Sequence, residues 1–374
     1  MQTIVGINDP KARKLWSASL FVDQARESYW QTRFVGKGAN AMTPVQLLTE
    51  LERDAGDRIS YDLNMQLRNK PIYGDNIQEG TEENLNFYTD QVFVDQVRGG
   101  VNAGGRMTRK RTLHDLRAIA RQRMSEWWGR WGDEILFMYG SGARGANLEF
   151  IEDLNYTGFA SNPFTAPDSL HQLFGGVATS NATVQATDTM SLTTIEKAQN
   201  KALTMGGGAS GHPEIRPIRI NGEDRYVLVM HTYQMYSLRT NTSVGQWIDV
   251  QKAAAAAQGQ KNPLFTGAEG MYSGTILHQH KAAILFNNWG AGGNVTGARS
   301  LFMGRQAMVM AYGSPGSGMR FDWYEETRDN GNQIVISTNT ILGCKKTTFN
   351  SLDFGVIAVD TAAADPNGGQ FGAA

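Results

Sequence analysis

The chain has one cysteine, almost no net charge and no long apolar run, and each of these absences excludes a class of protein. Cys344 has no second cysteine to pair with, so an internal disulfide is excluded. A formal net charge of -1 argues against a nucleic-acid binder that works by bulk positive charge. No signal-peptide h-region and no run of about eighteen apolar residues is present. We therefore expect a soluble protein, made in the cytoplasm, with no membrane partner.

Motifs for catalysis or cofactor binding are also missing. Residues 140–145 (GSGARG) have dinucleotide-binding glycine spacing but follow a predicted helix, where that motif requires a strand. Residues 206–211 (GGGASG) lack the Lys-Ser/Thr pair of a phosphate-binding loop. His278 and His280 lie two apart on a predicted strand, but no spacing places a third metal ligand beside them. We predict no catalytic residue, no cofactor and no metal site.

The sequence does contain one strong helical pattern, which predicts a long helix over about residues 113–138. Apolar residues recur at steps of three and four and form one stripe: Leu113, Leu116, Ala120, Met124, Trp127, Trp131, Ile135 and Met138. Aromatic residues at this spacing are usually core, so we assign the tryptophans to packing. With 374 residues and 41% hydrophobic content, the chain can bury a large core in two or three lobes.

Two stretches before this helix predict a β-hairpin with an unusually long tip. In RISYDLNMQL the apolar residues fall on alternate positions, which is typical of a strand with one buried face. In LNFYTDQVFVDQV the alternation breaks between Phe87 and Val92, which predicts a bulge. The polar residues 68–84 between them greatly exceed an ordinary hairpin loop of two to five residues.

Later segments predict a mixture of strands and helices, and so an α+β fold. SLTTIEKAQNKALTMGGG predicts a helix capped by Ser191 or Thr193, and RPIRINGEDRYVLVMHTYQMYSLR predicts strand, turn, strand and helix. WIDVQKAAAAAQG predicts a helix, GTILHQHKAAILF a buried strand, and ARSLFMGRQAMVMAYG a helix or a strand. A β-meander around the turn DNGN and a disordered tail complete the chain.

Charge is segregated along the hairpin and the start of the long helix. Residues 73–95 contain six acids and no base: Asp75, Glu79, Glu82, Glu83, Asp90 and Asp95. Residues 98–123 contain eight bases and one acid, the bases being Arg98, Arg106, Arg109, Lys110, Arg111, Arg117, Arg121 and Arg123. Two solvated faces would explain the pattern. In a protein of many identical copies, it would instead supply complementary surfaces between neighbours.

The first 45 residues combine aromatic side chains with glycines. Trp16, Phe21, Trp30 and Phe34 are the aromatic residues that we expect to dock on a neighbouring molecule. The alternative is an ordinary N-terminal helix that packs on its own core.

Several segments, in order, resemble the major capsid proteins of tailed bacteriophages, most closely the group related to the capsid protein of phage N4. They are residues 33–101, DLRAIARQRMSEWWGRWGDEILF, RYVLVMHTYQMYSLRTNT, NPLFTGAEGMYSGTILHQH and GARSLFMGRQAMVMAYG. Each is moderately specific, and their common order and spacing, over residues 30–360, carry the resemblance.

The resemblance implies a Hong Kong 97-type capsid fold. Its expected parts are an N-terminal arm (1–45), an extended loop (46–105), a peripheral domain with the spine helix (106–210), an axial domain (211–318), returning peripheral strands (319–360) and a C-terminal tail (361–374). The implied function is a major capsid protein that forms hexamers and pentamers of an icosahedral shell around double-stranded DNA. The implied location is the virion, assembled in the host cytoplasm.

The same resemblance implies roles for the charged segments. In the extended loop we expect contacts with a neighbouring copy from Lys70, Tyr73, Asp75, Glu79, Glu82 and Glu83. The basic segment would face either a neighbour or packaged DNA, through Arg106, Arg109, Lys110, Arg111, Arg117, Arg121 and Arg123. Further expected partners are separate scaffolding, portal and decoration proteins. The alternatives are an encapsulin-like compartment, a soluble hydrolase, and an adhesin, which would need an export signal.

Overall fold

Two β-sheets joined by one long helix form the body of the protein, and a two-stranded hairpin lies beside them. The computed structural model describes residues 20, 23–24, 26–38, 41–52, 55–64, 67, 69–85, 87–112, 115–206, 214–220, 222–241, 270–314 and 319–368. The predicted helix WIDVQKAAAAAQG lies outside these residues.

Runs of several strands separate the helices along the described chain, as expected for an α+β protein. The helices are α1 (Tyr29–Arg33), α2 (Arg106–Arg111), α3 (Leu116–Ser141), α4 (Leu192–Thr204) and α5 (Thr232–Thr240). The strands are β1 (Val35–Lys37), β2 (Val45–Leu48), β3 (Arg58–Asn64), β4 (Phe87–Phe93), β5 (Asp95–Asn102), β6 (Gly158–Phe159), β7 (Asn162–Pro163), β8 (Gln172–Phe174), β9 (Ile218–Ile220), β10 (Glu223–Met230), β11 (Gly270–Tyr272), β12 (Thr275–Gln279), β13 (Ile284–Trp289), β14 (Val295–Met303), β15 (Met308–Gly313), β16 (Phe321–Arg328), β17 (Gln333–Lys346), β18 (Thr348–Phe349), β19 (Leu352–Asp353) and β20 (Val356–Ala362).

The first sheet is built on the long strand β17. This strand pairs with β16 and then β15 along one edge, and with β5 along the other. β2 and β1 extend the sheet beyond β15. The predicted DNGN turn between β16 and β17 is confirmed, because Asp329 and Asn330 take positive φ angles and the Asn332 N–H donates to the Asp329 carbonyl at 2.9 Å.

The second sheet has the order β11-β12-β10-β14-β20-β8, with β9 on β10 and β13 on β14. The predicted strand-turn-strand-helix over residues 216–239 is confirmed as β9, β10 and α5, and the helix capped by Ser191 as α4. GTILHQHKAAILF and ARSLFMGRQAMVMAYG each form two strands rather than one element. The predicted tail from residue 361 starts too early, because β20 continues to Ala362 and Ala363 is buried.

Helix α3 joins the two sheets. The Asp115 carboxylate caps its start by accepting the N–H groups of Arg117 and Ala118, so the helix begins three residues later than predicted. It ends at Gly142, whose φ of 70° would cost any other residue strain. The helix packs on β17, where the Trp128 indole N–H donates to the Thr338 hydroxyl at 2.8 Å, and its Ser141 carbonyl accepts a hydrogen bond from Arg299 of β14 at 2.8 Å.

Strands β3 and β4 form the predicted hairpin without the predicted bulge. Their pairing is regular from Arg58↔Phe93 to Asn64↔Phe87, and Ile59, Leu63 and Val92 face the body. Asp90 occupies a body-facing position between Tyr88 and Val92. It is tolerated there because the Tyr61 hydroxyl donates to it at 2.9 Å and Lys345 forms an ion pair with it.

The sheets run across the segment limits expected from the sequence. β1 lies within the expected arm, β2 crosses from the arm into the expected extended loop, and β5 lies within that loop, yet all three belong to the first sheet. β15 also belongs to that sheet, although it falls within the expected axial domain. The separate hairpin therefore spans residues 58–93, a shorter range than 46–105.

Candidate intersubunit surfaces

The hairpin tip, which we define as residues 69–85, exposes large apolar side chains. Tyr73 is 75% exposed and Ile77 is 77% exposed. Leu85, at the end of the tip, and Phe87, at the start of β4, are also exposed. A single exposed apolar residue is ordinary, but a group of them on one projecting segment marks an interaction site. Sequence reasoning selected Tyr73 and missed Ile77, Leu85 and Phe87.

The predicted acidic residues of the tip fall into two pairs with different surroundings. The Glu83 carboxylate accepts the Asn69 N–H at 2.8 Å, and the Glu82 carboxylate accepts the Gly80 N–H at 2.8 Å. These two acids shape the tip itself. Among the described residues, Asp75 and Glu79 have no hydrogen bond or ion pair from their side chains. Their charges are therefore available to a partner.

The predicted basic segment is divided between two helices. Residues Arg106, Arg109, Lys110 and Arg111 lie on α2, which docks on the turn between β16 and β17. The Arg106 Nε donates to the Gly331 carbonyl at 3.3 Å, and the Arg109 Nη2 donates to the Asn332 carbonyl at 3.0 Å. Lys110 and Arg111 have no ion pair with any described residue and remain available.

The bases of α3 are paired within the chain. Arg117 forms an ion pair with the buried Glu325 at 2.8 Å. Arg121 lies 3.2 Å from Asp23, and Arg123 lies 2.6 Å from Glu126. The charge of the predicted basic segment is therefore largely neutralised along α3, because Arg117 and Arg121 pair with acids from distant parts of the chain. Thr112, which has an extended backbone, separates α2 from α3.

Two aromatic residues expected to contact a neighbour are internal to their own chain. Trp30 and Phe34 are completely buried, and their rings pack against Phe137 and His278 respectively. This segment follows the alternative interpretation, packing on its own core. Trp16 and Phe21 lie outside the described residues.

A buried carboxylate holds this aromatic segment in place. The Asp133 side chain accepts the Ser28 hydroxyl at 2.7 Å and the backbone N–H groups of Tyr29 and Trp30 at 2.8 and 3.1 Å. Burial raises the pKa of Asp133 to about 6 despite these bonds. Its neighbour Glu134 accepts the Ile151 N–H at 2.8 Å, and burial raises its pKa to about 7.

These two acids line a cavity of about 800 Å³ at the side of α3. The other charged lining residues are Glu27, Glu126, Arg130, Glu149, Lys281 and Asp365. Both buried carboxylates already accept backbone N–H groups. The two carboxylates therefore anchor the segments before and after α3 at the edge of this cavity.

The candidate metal histidines are used in packing. His280 stacks on Tyr29 with ring centroids 4.4 Å apart, and His278 is fully buried with its ring edge-on to Phe34. Burial lowers the pKa of His280 to about 4. Across the part of the chain that the structure describes, no group of three or more metal-ligating side chains is assembled. Within that same part, no helix is both long and apolar enough to cross a membrane.

Comparison with known proteins connects this architecture to phage capsids. A family model described as phage capsid protein matches residues 4–365. The chain is 29% identical over 384 residues to a major capsid protein of Pseudomonas phage KPP25, covering 94% of this chain and 95% of the relative.

Solved structures agree with this match. The capsid of Ralstonia phage GP4 superposes with a TM-score of 0.84 at 50% identity, covering 98% of this chain and all of that chain. The capsid of cyanophage Pam1 has the same fold, with a TM-score of 0.68 at 21% identity and coverage of 91% and 93% of the two chains. The chain therefore belongs to the phage capsid protein family and functions as a major capsid protein of a phage.

Proposed function

We propose that the chain assembles into hexamers and pentamers of an icosahedral shell that encloses the double-stranded DNA of a tailed phage. The observation that carries this proposal is the 50% identity to a solved phage capsid across 98% of the chain. The proposed location is the virion, with assembly in the host cytoplasm and with separate scaffolding, portal and decoration proteins as further partners.

The proposed subunit has a Hong Kong 97-type arrangement. Helix α3 corresponds to the spine, the first sheet to the peripheral domain, and the part of the second sheet that includes β9 to β12 to the axial domain. The hairpin of β3 and β4 corresponds to the extended loop. The contacts of α3 with both sheets support this assignment, because a spine helix in this arrangement links the two domains.

In this proposal a neighbouring copy of the chain covers the exposed hairpin tip. Burial of Tyr73, Ile77 and Leu85 would contribute about 25 cal/mol per Å² of apolar area, before the entropy of association and polar desolvation are subtracted. Exposed ion pairs contribute about 0 to 1 kcal/mol each. Apolar contact would therefore supply most of the affinity, and charge would set the register between copies.

The basic residues of α2 are proposed to face packaged DNA. Lys110 and Arg111 are the bases of the segment that remain unpaired within the described chain, and sequence-independent binding to phosphates requires such charges. A neighbouring subunit is the other use that we proposed from the sequence. Arg117 and Arg121 are less suited to either use, because each already pairs with an acid.

Electron microscopy of the expressed chain tests the proposed assembly. We expect closed particles of uniform size with sixfold and fivefold capsomers, obtained with the chain alone or with a co-expressed scaffold. Nucleic acid inside particles from infected cells is expected to be double-stranded DNA. A chain that stays monomeric at high concentration, with and without scaffold, would contradict the proposal.

The variant Lys110→Ala/Arg111→Ala tests the DNA contact separately. We expect normal particles with reduced DNA content, measured by the ratio of absorbance at 260 and 280 nm. Arg123→Ala, which removes an exposed base paired with Glu126, is the matched control. If particles of the parent chain, of the double variant and of the control contain equal amounts of DNA, α2 does not bind the packaged DNA.

A further inference from the structure

A groove beside the base of the hairpin contains two arginines without an acidic partner. Its volume is about 420 Å³, within the range of ligand-sized clefts. Strand β3, from Ile59 to Leu63, lines the groove together with Arg216 and Arg305. Sequence reasoning missed these arginines, because they are isolated in the sequence and 89 positions apart.

Backbone contacts fix the two arginines next to each other. The Arg305 N–H donates to the Arg216 carbonyl at 2.8 Å. A side chain at Gly304 would place its Cβ 2.5 Å from that same carbonyl, so the two segments lie in direct contact. The backbone therefore holds the two arginine positions side by side.

Nothing within the described chain neutralises this pair. Neither arginine has an ion pair with a described residue, and the Arg305 Nε is buried without a hydrogen-bond acceptor there. Burial and the charge of Arg216 both lower the pKa of Arg305, and no carboxylate raises it. An unpaired charge in a partly buried site is costly, which indicates a missing anion.

A second buried polar group of the same groove also lacks a partner. Thr347 is 3% exposed and lines the groove, and its hydroxyl oxygen has no hydrogen bond to any described residue. Two acids, Glu50 and Asp62, are at the exposed rim, where the Thr89 hydroxyl donates to Asp62. They do not reach either guanidinium. Two buried polar atoms of the groove, the Arg305 Nε and the Thr347 hydroxyl oxygen, therefore lack a hydrogen-bond partner among the described residues.

The chain itself carries a matching surface at the hairpin tip. Asp75 and Glu79 are exposed and unpaired among the described residues, and Tyr73 and Ile77 beside them are exposed and apolar. The groove complements both properties, since its arginines lie beside the apolar side chains of Leu63, Phe349 and Phe354.

The tip cannot fill the groove of its own chain without folding back. β3 forms the groove wall and continues as a regular antiparallel ladder with β4 to the pair Asn64↔Phe87. An extended ladder rises about 3.3 Å per residue and carries the tip away from its base. The acids must therefore come from another copy.

We propose that the groove of Arg216 and Arg305 receives the carboxylates of Asp75 and Glu79 from the hairpin tip of a second copy of the chain. This inference rests on the proposed function, because it requires neighbouring copies in a shell. In this proposal the groove, rather than the basic residues of α2, accepts the acids of the tip. The basic residues of α2 then remain available to bind DNA.

Disulfide trapping tests the contact directly. The chain's single cysteine, Cys344, is buried. Disulfides between subunits can therefore form only through the cysteines that are introduced. We expect assembled Glu79→Cys/Arg305→Cys particles, after mild oxidation, to give dimers and higher oligomers on a non-reducing gel. Glu79→Cys/Lys110→Cys is the matched control and should stay monomeric on the gel. Trapping in the control and not in the test pair would overturn the proposal.

A charge swap provides the second test. Arg216→Glu/Arg305→Glu and Asp75→Lys/Glu79→Lys should each lower the particle yield about tenfold or more, because like charges would meet across the contact. The chain that combines all four substitutions should recover particles. Circular dichroism of each unassembled chain shows whether the fold survives, and recovery in the combined chain excludes misfolding as the cause.

The possible results distinguish a failure of this proposal from a failure of the proposed function. If the parent chain forms particles and Arg216→Glu/Arg305→Glu does so equally well, the groove is not the acceptor, while the proposed function stands. If that variant assembles and loses DNA instead, the groove faces nucleic acid and the proposal is wrong. If the parent chain never forms particles, the proposed function fails first.

Discussion

The C-terminal half of α3 and the hairpin tip are opposite kinds of structure in one chain. From Asp133 to Ser141 every residue of the helix is buried, so its environment is complete within the subunit. From Asn69 to Leu85 nearly every residue is exposed, including Tyr73 and Ile77. The first region contributes to folding, and the second contributes little until another molecule covers it. Substitutions in the two regions should therefore separate subunit stability from assembly.

The largest expected effect is at a buried position of α3 just before the stretch from Asp133 to Ser141. Trp128→Ala should lower the free energy of unfolding by about 3–5 kcal/mol, because it leaves a cavity beside Phe321 and Trp131. The substitution also leaves the Thr338 hydroxyl without the indole N–H that donates to it at 2.8 Å. Urea unfolding of the unassembled chain measures the change. Arg123→Ala, on the exposed face of α3, is the control and should cost less than about 1 kcal/mol.

An intermediate effect, dependent on pH, is expected at Glu134. Its folded pKa of about 7 lies above the ordinary value of 4.5, so the folded state binds a proton more tightly than the unfolded state. The contribution of Glu134 to stability is therefore present at low pH and is lost as the pH rises towards 7. Glu134→Gln removes this loss and can still accept the Ile151 N–H.

We expect Glu134→Gln to unfold at a higher temperature than the parent chain at pH 8, by a free energy of about 1–3 kcal/mol. The difference should shrink as the pH is lowered towards 4.5. Asp133 titrates in the same direction in both chains, so the comparison isolates Glu134. Glu149→Gln, at an exposed position of the same cavity, is the control. If the unfolding temperatures of parent and variant differ by the same amount at every pH in this range, the prediction that Glu134 titrates with a raised pKa is wrong.

The smallest effect on subunit stability is expected at the tip. Tyr73→Ser/Ile77→Ser should change the free energy of unfolding by less than about 0.5 kcal/mol, because neither side chain is buried in the subunit. Particle yield, measured by sedimentation, should nevertheless fall. Val177→Ser removes an apolar side chain that is 87% exposed elsewhere and should leave both measurements unchanged. Destabilisation of the tip variant itself would show that the tip packs on its own subunit.

Sequence reasoning succeeded where local chemistry decides. The helix stripe of α3, the Ser191 cap of α4, the DNGN turn and the alternation of β3 all follow from residues close together in the chain. It failed at Asp90, whose place on the body-facing side depends on Lys345, 255 residues away. A carboxylate breaks an apolar pattern unless its distant cation is known.

The same limit explains the outcome for the candidate surfaces. Tyr73, Asp75 and Glu79 could be selected because a long polar loop is a local feature. Burial of Trp30 and Phe34 could not be foreseen, since Asp133 and Phe137 hold that segment from another part of the chain. Arg216 and Arg305 carried no signal, because their importance lies in the absence of a nearby acid after folding.

The sequence alone determined the long helix, the helix caps, the DNGN turn and the charge of each segment, because caps, periodicities and turns act within a few residues. It also determined the family, through the order of its segments. Only the tertiary structure decided which charges are neutralised inside the subunit and which remain unpaired. The physical reason is that the cost of an unpaired charge depends on all the groups that folding brings around it, and these come from every part of the chain.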